Sequence, residues 1–527
     1  MIPHGRNRPP SAGQLTAAAA SGMRWSLSST LGIAVVQVVY ISVMSRLLDP
    51  RAFGIYAIAM LVLNTGDSFA RMGVAQALIQ RPTITRDDIR ASVTTGTLLG
   101  FLLFAVLWVT APTIGEFFSE PAAVPVIRVM GVHFVFIGFS VTGNSLLRRD
   151  LRFPQFSGAQ FAAYVIGYAV VGISLAAAGA GVWSLVAAVL SAHFLVALFQ
   201  YLYTRHPLRP VLDVRPFGHL YSFGARISVI RFLEFLGRQL DTITVGRYAS
   251  TSALGQYNRA FVLVNVSMSQ HLSHATTNVL FPGFSKIQGD EARTRRAFLS
   301  VIMLSGTLLW SVGAGIAAGA REIVLVLLGD QWDVAMSVVP FFAIAVALSV
   351  MTRLATLVCE ARAELNKILG IQAVFIVALL VAYVAVSGIG GVVPFAAALA
   401  IGELGRHLVY VIVMRRMLGI RAVDMALAYG PGLVTAASVA LAVMVASQLS
   451  RVDRVPTIAV LALEFAAAAV VLVLVVRFSP FRTFRREVRR RLDAAGMGRA
   501  SIGVRRLPAR LLVRPGPPRA AVDTPRR

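Results

Sequence analysis

Residues 46–64 read RLLDPRAFGIYAIAMLVLN, and residues 247–265 read RYASTSALGQYNRAFVLVN. When the two windows are aligned, six of the nineteen positions are identical, where ordinary composition gives roughly one or two. The identical pairs are Arg46/Arg247, Ala52/Ala253, Gly54/Gly255, Tyr56/Tyr257, Ala59/Ala260 and Asn64/Asn265. The chain is therefore predicted to contain two repeats of one fold.

The composition predicts what kind of fold is repeated. Of the 527 residues, 57% are hydrophobic and only 14% are charged, whereas about a quarter of a soluble domain is charged. Apolar stretches of the length needed to cross a bilayer recur along the chain. Fourteen spanning segments are predicted, at residues 25–47, 53–73, 89–110, 124–147, 158–178, 182–203, 217–245, 253–281, 297–317, 334–358, 368–386, 392–417, 425–447 and 457–476.

These segments predict an all-α polytopic membrane protein. Each repeat contains six of them, an even number, so both repeats enter the membrane in the same orientation and form two lobes related by an axis along the membrane normal. The predicted parts are a disordered cytoplasmic arm (1–23), an N-lobe (24–210), a C-lobe (211–420), two appended helices (421–477) and a basic cytoplasmic tail (478–527). Substrate sites in such folds lie at the lobe interface.

The formal net charge is +26. The connections between successive predicted spans lie alternately on the two sides of the membrane. In or near the connections of one side there are 21 Lys and Arg residues, and in or near those of the other side there are 7. Cytoplasmic loops carry such an excess, so both termini are predicted to be cytoplasmic. Residues 481–492 of the tail favour a short basic helix on the anionic inner leaflet. The tail lacks the interleaved aromatic residues of a nucleic-acid binder, and no nucleic-acid partner is expected.

Residues 217–250 read FGHLYSFGARISVIRFLEFLGRQLDTITVGRYAS. This stretch is apolar enough to form a membrane helix, yet it contains four regularly spaced charged residues. The spacing of Arg231, Glu234, Arg238 and Asp241 places all four on one helix face. Each would cost about 2.5–3.5 kcal/mol at the bilayer centre, so this face should point away from lipid. Two interpretations stay open: a self-neutralising brace between helices, or the charged wall of a transport pathway.

The sequence lacks the common catalytic, nucleotide-binding and zinc-binding motifs of soluble enzymes. It contains no nucleophile elbow, P-loop, dinucleotide-binding turn or zinc signature. His271 and His274 share a helix face, but no third ligand lies near them in sequence. We therefore expect no enzymatic activity, no cofactor and no metal site.

The run WSLSSTLGIAVVQVVYISVMSRLLDPRAFGIYAIAMLVLN (25–64), followed by GVAQALIQR (73–81), resembles the N-terminal signature of Wzx-type bacterial polysaccharide flippases. These belong to the multidrug/oligosaccharidyl-lipid/polysaccharide exporter superfamily. The match is clearest at Arg46–Leu48, Pro50, Phe53–Gly54 and Tyr56. Arg51 stands where many relatives have an acidic residue, and the long basic tail is outside the family pattern.

The resemblance implies a transporter in the bacterial cytoplasmic membrane that flips undecaprenyl-pyrophosphate-linked oligosaccharides by alternating access through a cationic central cavity. It implies substrate-binding roles for a set of arginines, namely Arg71, Arg226, Arg231 and Arg238. Predicted coupling or cavity-lining residues are Asp67, Glu234, Asp241, Gln37, Asn64 and Asn265. A polysaccharide polymerase and assembly proteins are possible partners.

Three alternatives are weighed beside this hypothesis. A multidrug antiporter would favour an acidic cavity, which the arginine-rich helix argues against. A membrane-bound polymerase or ligase needs a sizeable external loop, and the outer connections are short. A scaffold of polysaccharide assembly would make use of the tail. Transport is the function that the sequence favours.

Overall fold

The computed structural model describes residues 12–70, 78, 84–211, 235–237, 239–268, 280–452, 455–479 and 481–494. These residues are helical apart from short connections. The helices are α1 Ala12–Leu47, α2 Pro50–Ala70, α3 Arg86–Phe117, α4 Ala123–Met130, α5 Val132–Arg149, α6 Phe153–Tyr164, a π-helical segment Val165–Gly172, α7 Ile173–Ala177, α8 Val182–Thr204, α9 Thr251–Met268, α10 Phe281–Ile287, α11 Glu291–Ala318, α12 Ala320–Leu327, α13 Asp333–Ala361, α14 Leu365–Val386, α15 Val393–Met417, α16 Ala422–Val452, α17 Thr457–Phe478 and α18 Arg482–Ala494.

Within the described ranges, eleven helices are long and apolar enough to cross a membrane. The chain is thus a multi-pass membrane protein with an all-helical fold. The count of fourteen spans stays a prediction, because much of the predicted span 217–245 lies outside the described residues. α1 begins at Ala12, inside the stretch 1–23 that the sequence predicts to be disordered. Four consecutive alanines, 17–20, explain the extension, because alanine has the highest helix propensity.

Local sequence signals determine several helix ends. Thr85 and Asp88 form a capping box at the start of α3, in which the Asp88 backbone N–H donates to the Thr85 hydroxyl (3.1 Å) and the Thr85 N–H donates to the Asp88 carboxylate (2.8 Å). Asp290 caps α11 by accepting from the Arg293 N–H at 2.9 Å. These caps satisfy backbone donors that a helix start otherwise leaves unpaired.

Two compact units can be distinguished. The first comprises residues 1–259, 327–334 and 376–395, and the second comprises 260–326, 335–375 and 396–527. In the first unit, α3 and α5 cross at small residues: a Cβ on Gly96 would overlap the Gly138 carbonyl, and the Ser92 and Thr142 hydroxyls are hydrogen-bonded at 2.9 Å. Such contacts let membrane helices approach closely without a hydrophobic driving force.

The second unit contains the appended helices and the basic helix. α16 packs along α11, where a Cβ on Gly432 would meet the Gly306 backbone at 3.0 Å. The basic helix predicted at 481–492 is present as α18. Phe484 is buried, and the Phe481 ring lies against Gly430 of α16. These two aromatic side chains hold the helix against the unit.

Candidate functional site

Half of the predicted site residues lie outside the described part of the chain. They are Arg71, Arg226, Arg231, Glu234 and Arg238. The structure describes Asp67, Asp241, Gln37, Asn64 and Asn265: Gln37 and Asn265 are half-buried on α1 and α9, and Asn64 is exposed on α2. The roles predicted for all ten stay predictions.

Asp241 is the one described member of the charged face predicted for residues 231–241. It is 4% exposed, and its Oδ1 atom accepts hydrogen bonds from the backbone N–H (2.7 Å) and hydroxyl (3.3 Å) of Thr242. Tyr257 lies beside its carboxylate, and Tyr383 lies beside Tyr257. Asp241 is thus surrounded by protein, as expected for a face that avoids lipid.

Asp67 has a partner that local spacing did not indicate. Its Oδ1 atom lies 3.0 Å from Nε2 of His133 on α5. This contact joins two helices that are far apart in sequence.

Two arginines in membrane spans of the second unit are paired with carboxylates. Arg353 contacts Glu360 at 2.8 Å within α13, and Arg406 contacts Glu403 at 2.6 Å within α15. The Arg406 guanidinium also donates to Gln372 at 3.3 Å and lies over the Phe375 ring. These pairs neutralise their own charges, which favours a structural role for them.

Arg259 on α9 is a site residue that the sequence reading missed. Its side chain is buried, with 7% of the residue exposed, and its Nε atom has no hydrogen-bond partner among the residues that the structure describes. Its guanidinium carbon lies 3.8 Å from the centroid of the Phe53 ring, a close cation–π contact. Within the described part of the chain, no carboxylate lies within ion-pair distance of Arg259.

Four tyrosines complete the surroundings of Arg259, and together with Phe53 they are named the aromatic cage: Tyr40, Tyr56, Tyr164 and Tyr168. Three of them interact electrostatically with the guanidinium: Tyr40, Tyr56 and Tyr164. Tyr168 contacts Tyr40 edge-on, with ring centroids 5.1 Å apart, and stacks on Tyr164 at 4.3 Å. The cage therefore takes its residues from α1, α2, α6 and the π-helical segment.

The π-helical segment explains the position of Tyr168. Gly167 and Gly172 in this segment face α8 so closely that a Cβ would contact Ala192 and Ala188, at 2.6 and 2.9 Å respectively. The wide π-helical turn and the two glycines let the segment pack closely against α8. This packing places Tyr168 in the aromatic cage. Such π-turns within α-helices occur frequently at functional sites.

The cage has the chemistry of an anion site. A guanidinium stays charged under all physiological conditions and offers a planar fork of donors that matches phosphate oxygens. Phenol hydroxyls add further donors, and their rings shield the charge from lipid. One signal in the sequence could have revealed Arg259. In the repeat alignment Arg259 falls opposite Ile58, so the second repeat has a charged residue where the first has an apolar one.

The starts of α2 and α9 are joined by a polar link. The Arg51 guanidinium contacts Glu120 Oε1 at 3.0 Å, and the Thr251 hydroxyl donates to Glu120 Oε2 at 2.7 Å. Next to this link, the Trp332 indole N–H donates to the Ser45 carbonyl at 3.0 Å. We name these five residues the collar. The collar joins the connection between α3 and α4 to the starts of α2 and α9, and it joins the loop before α13 to the end of α1.

The collar should respond to acid. Burial acts to raise the pKa of Glu120, but the hydrogen bonds from Arg51 and Thr251 outweigh it and hold the pKa below the usual 4.5. A lowered folded-state pKa stabilises the fold above pH 4.5, and this contribution is lost as the pH falls through the lowered value.

We expect Glu120→Gln to lower the thermal midpoint of the purified protein at pH 7, and the difference from the wild type to shrink below pH 4.5. Asp87→Asn removes an exposed i,i+3 pair with Arg90 and should have little effect at either pH. A Glu120→Gln deficit that is the same at pH 7 and at pH 3.5 would contradict the ionic link.

The second unit contains an apolar groove of about 770 Å³ between α11, α13, α15 and α16. Its walls are mainly alanine, leucine and isoleucine side chains, and His407 and Tyr429 contribute polar atoms. A groove of this lining suits an apolar chain better than a sugar.

Comparisons with known proteins agree on the class of molecule. The lipopolysaccharide biosynthesis protein WzxC of Escherichia coli (strain K12) is 23% identical over 322 residues, 61% of this chain and 64% of WzxC. The teichuronic acid biosynthesis protein TuaB of Bacillus subtilis (strain 168) is 24% identical over 333 residues, 63% of this chain and 68% of TuaB. The chain thus spans about two thirds of the length of these relatives.

The fold is similar to that of the lipid II flippase MurJ in its inward closed conformation, with a TM-score of 0.68 over 89% of this chain and 100% of that chain. At 10% sequence identity this likeness concerns the fold alone. Residues 43–337, more than half of the chain, match the model of the family described as "Polysaccharide biosynthesis protein". As the resemblance of residues 25–64 and 73–81 implied, the chain belongs to the polysaccharide biosynthesis protein family.

Proposed function

We propose that the protein flips undecaprenyl-pyrophosphate-linked oligosaccharide repeat units from the inner to the outer leaflet of the bacterial cytoplasmic membrane, for the biosynthesis of a cell-surface polysaccharide. The observation that carries this proposal is the buried Arg259 in its aromatic cage. Membership of the polysaccharide biosynthesis family and the similarity to WzxC and TuaB support it.

Arg259 fits the pyrophosphate of such a substrate. An ionisable side chain in the membrane interior is costly and is retained where it serves a function. A phosphate oxygen pair would accept two parallel hydrogen bonds from the guanidinium fork and would supply the negative charge that the cage does not contain. Aromatic side chains with polar tips, such as the four tyrosines, suit the first sugar, which has both apolar faces and hydroxyls.

The other predicted site residues have roles in the same proposal. Arg71, Arg226, Arg231 and Arg238 would add positive charge along the path of the sugar, and Asp67, Glu234 and Asp241 would line the cavity or couple transport to an ion. Alternating access then requires the collar to open, since it joins the starts of the repeat-related helices α2 and α9.

The basic helix α18 fits the anionic inner leaflet. Phe481 and Phe484 anchor it to the second unit, while Arg486, Arg489 and Arg490 are exposed. Juxtamembrane arginines are attracted to anionic lipid headgroups. This arrangement supports cytoplasmic termini, and the tail beyond α18 would be available to a polymerase or to assembly proteins. We propose no enzymatic activity for the chain itself.

Flipping can be measured with the purified protein in liposomes. A fluorescent undecaprenyl-pyrophosphate oligosaccharide is placed in both leaflets, and an impermeant quencher reports the fraction in the outer leaflet. We expect the protein to render the protected fraction accessible. The same sugar on undecaprenol without pyrophosphate should stay protected. Transport of a cationic dye with no movement of the lipid-linked sugar would favour a multidrug antiporter instead.

A further inference from the structure

Trp332 belongs to the collar and also contacts the aromatic cage. Its indole ring makes a T-shaped contact with the Phe53 ring, with the two ring centroids 5.4 Å apart. The Arg259 guanidinium lies over the same Phe53 ring, 3.8 Å from its centroid. Trp332 is 0% exposed and Phe53 is 2% exposed, and residues 327–334 belong to the first unit, as the cage does. These three side chains therefore form one continuous contact from the collar to Arg259.

The position of Trp332 is fixed by hydrogen bonds to the end of α1. Its indole N–H donates to the Ser45 carbonyl at 3.0 Å. The Gln331 side chain donates to the same carbonyl at 2.8 Å and to the Leu48 carbonyl at 3.1 Å. Gly329, with a φ of +113° that favours glycine, turns the chain just before these two residues. The Trp332 ring is thus held by backbone acceptors as well as by side-chain packing.

The contact on Phe53 affects how Arg259 can bind an anion. A guanidinium that stacks on an aromatic ring keeps the N–H donors in its own plane available for the two oxygens of a phosphate. The plane of the Phe53 ring therefore influences the direction in which the Arg259 donors point. Phe53 has no hydrogen-bonding group, so its ring plane depends on packing against neighbours such as Trp332.

We propose that Trp332 is a positioning residue for the aromatic cage: by holding Phe53 it orients the Arg259 guanidinium, and it thereby couples the collar to anion binding. This role rests on the transport function proposed above. Coupling between two sites is reciprocal in binding free energy. A pyrophosphate that reorients Arg259 therefore changes the environment of Trp332, and a change at Trp332 alters the affinity of the cage for pyrophosphate.

The first half of this coupling can be observed at Trp332 itself. The chain has five tryptophans, so labelling with 5-fluorotryptophan in nanodiscs gives few ¹⁹F NMR signals, and Trp332→Phe and Trp310→Phe assign two of them. We expect inorganic pyrophosphate to shift the Trp332 signal in the wild type but not in Arg259→Gln. Without any ligand, Arg259→Gln should itself move this signal, because the guanidinium no longer lies on the Phe53 ring. The signal of Trp310, in the second unit, should stay in place.

The second half is measured as binding of undecaprenyl-pyrophosphate-linked sugar in nanodiscs. Trp332→Leu removes the ring that holds Phe53, and we expect it to weaken binding about three- to tenfold, the size of one aromatic pair contact. In the Arg259→Gln background the same substitution should weaken binding no further, because no guanidinium is left to orient. Trp332→Phe keeps an aromatic ring and should bind more tightly than Trp332→Leu.

Gln331→Ala is the matched control for these variants. Gln331 is exposed, and its two described bonds lead from the same loop to the end of α1 rather than to the cage. Its removal should loosen the loop and leave the affinity unchanged. Equal losses of affinity in Gln331→Ala and Trp332→Leu, or a Trp332 signal that stays in place in Arg259→Gln, would overturn the positioning role. A wild-type protein that binds no lipid-linked sugar would overturn the proposed transport function, and the ligand-free ¹⁹F comparison would still decide the coupling.

Discussion

Arg259→Gln is expected to weaken binding of undecaprenyl-pyrophosphate-linked sugar by at least about tenfold and to abolish flipping. Glutamine is polar and shorter, but it lacks both the charge and the donor fork. A hydrogen bond to a charged group contributes about 1.5–3 kcal/mol, and about 1.4 kcal/mol corresponds to tenfold in affinity. Binding to the purified protein in nanodiscs is the measurement, with undecaprenol-linked sugar as the ligand control.

Two further substitutions separate charge from geometry. Arg259→Lys keeps the charge but presents a point cation, so binding should recover only in part. Tyr168→Phe keeps the ring that stacks on Tyr164 and removes one hydroxyl, so it should weaken binding less than Arg259→Gln does. Arg128→Gln is the matched control, because this guanidinium also contacts an aromatic ring, that of Trp108, but belongs to a half-buried residue outside the aromatic cage.

Stability provides an independent check on the same residue. Arg259 places a charge in a buried site where the described residues offer no carboxylate, and burying an uncompensated charge destabilises a fold. Arg259→Gln should therefore raise the thermal midpoint while abolishing function, as expected for a residue kept for activity at the expense of stability. A lower midpoint combined with unchanged binding would show that Arg259 is a structural brace.

The helices were predictable because their signal is local. A run of about twenty apolar residues indicates a span wherever it occurs, and the capping box at Thr85 is read from four consecutive residues. The repeat was also visible, because aligned identities need no knowledge of contacts. The family followed from the resemblance at residues 25–64 and 73–81.

The site was harder to predict because its contacts are long-range. The aromatic cage combines Tyr40, Phe53, Tyr56 and Tyr164 with Arg259, which lies between 95 and 219 residues later in the chain. Its remaining tyrosine depends on a π-turn that hydropathy does not show. Asp67 illustrates the same limit, because its contact with His133 joins two helices and cannot be read from the spacing of residues along one helix.

The repeat also has a structural counterpart at the crossing of α2 and α9. A Cβ on Gly54 would overlap the Thr251 carbonyl oxygen, and a Cβ on Gly255 would overlap the Pro50 carbonyl oxygen. Gly54 aligns with Gly255 in the repeat, and Pro50 aligns with Thr251. Each glycine thus faces the start of the other helix, which is the reciprocal contact expected of a two-fold axis.

Gly54→Ala or Gly255→Ala is therefore expected to lower the thermal midpoint of the purified protein by several degrees and to slow flipping. Overpacking typically costs about 1–3 kcal/mol, and a backbone carbonyl cannot move aside as a flexible side chain can. The double substitution should cost less than the two single costs added together, because the first alanine already separates the helices. Gly158→Ala is the matched control, since a Cβ there would meet nothing within 4 Å and alanine favours the helix. If Gly54→Ala behaved like Gly158→Ala, the backbones would not meet at this crossing, and the two-fold relation would rest on the sequence repeat alone.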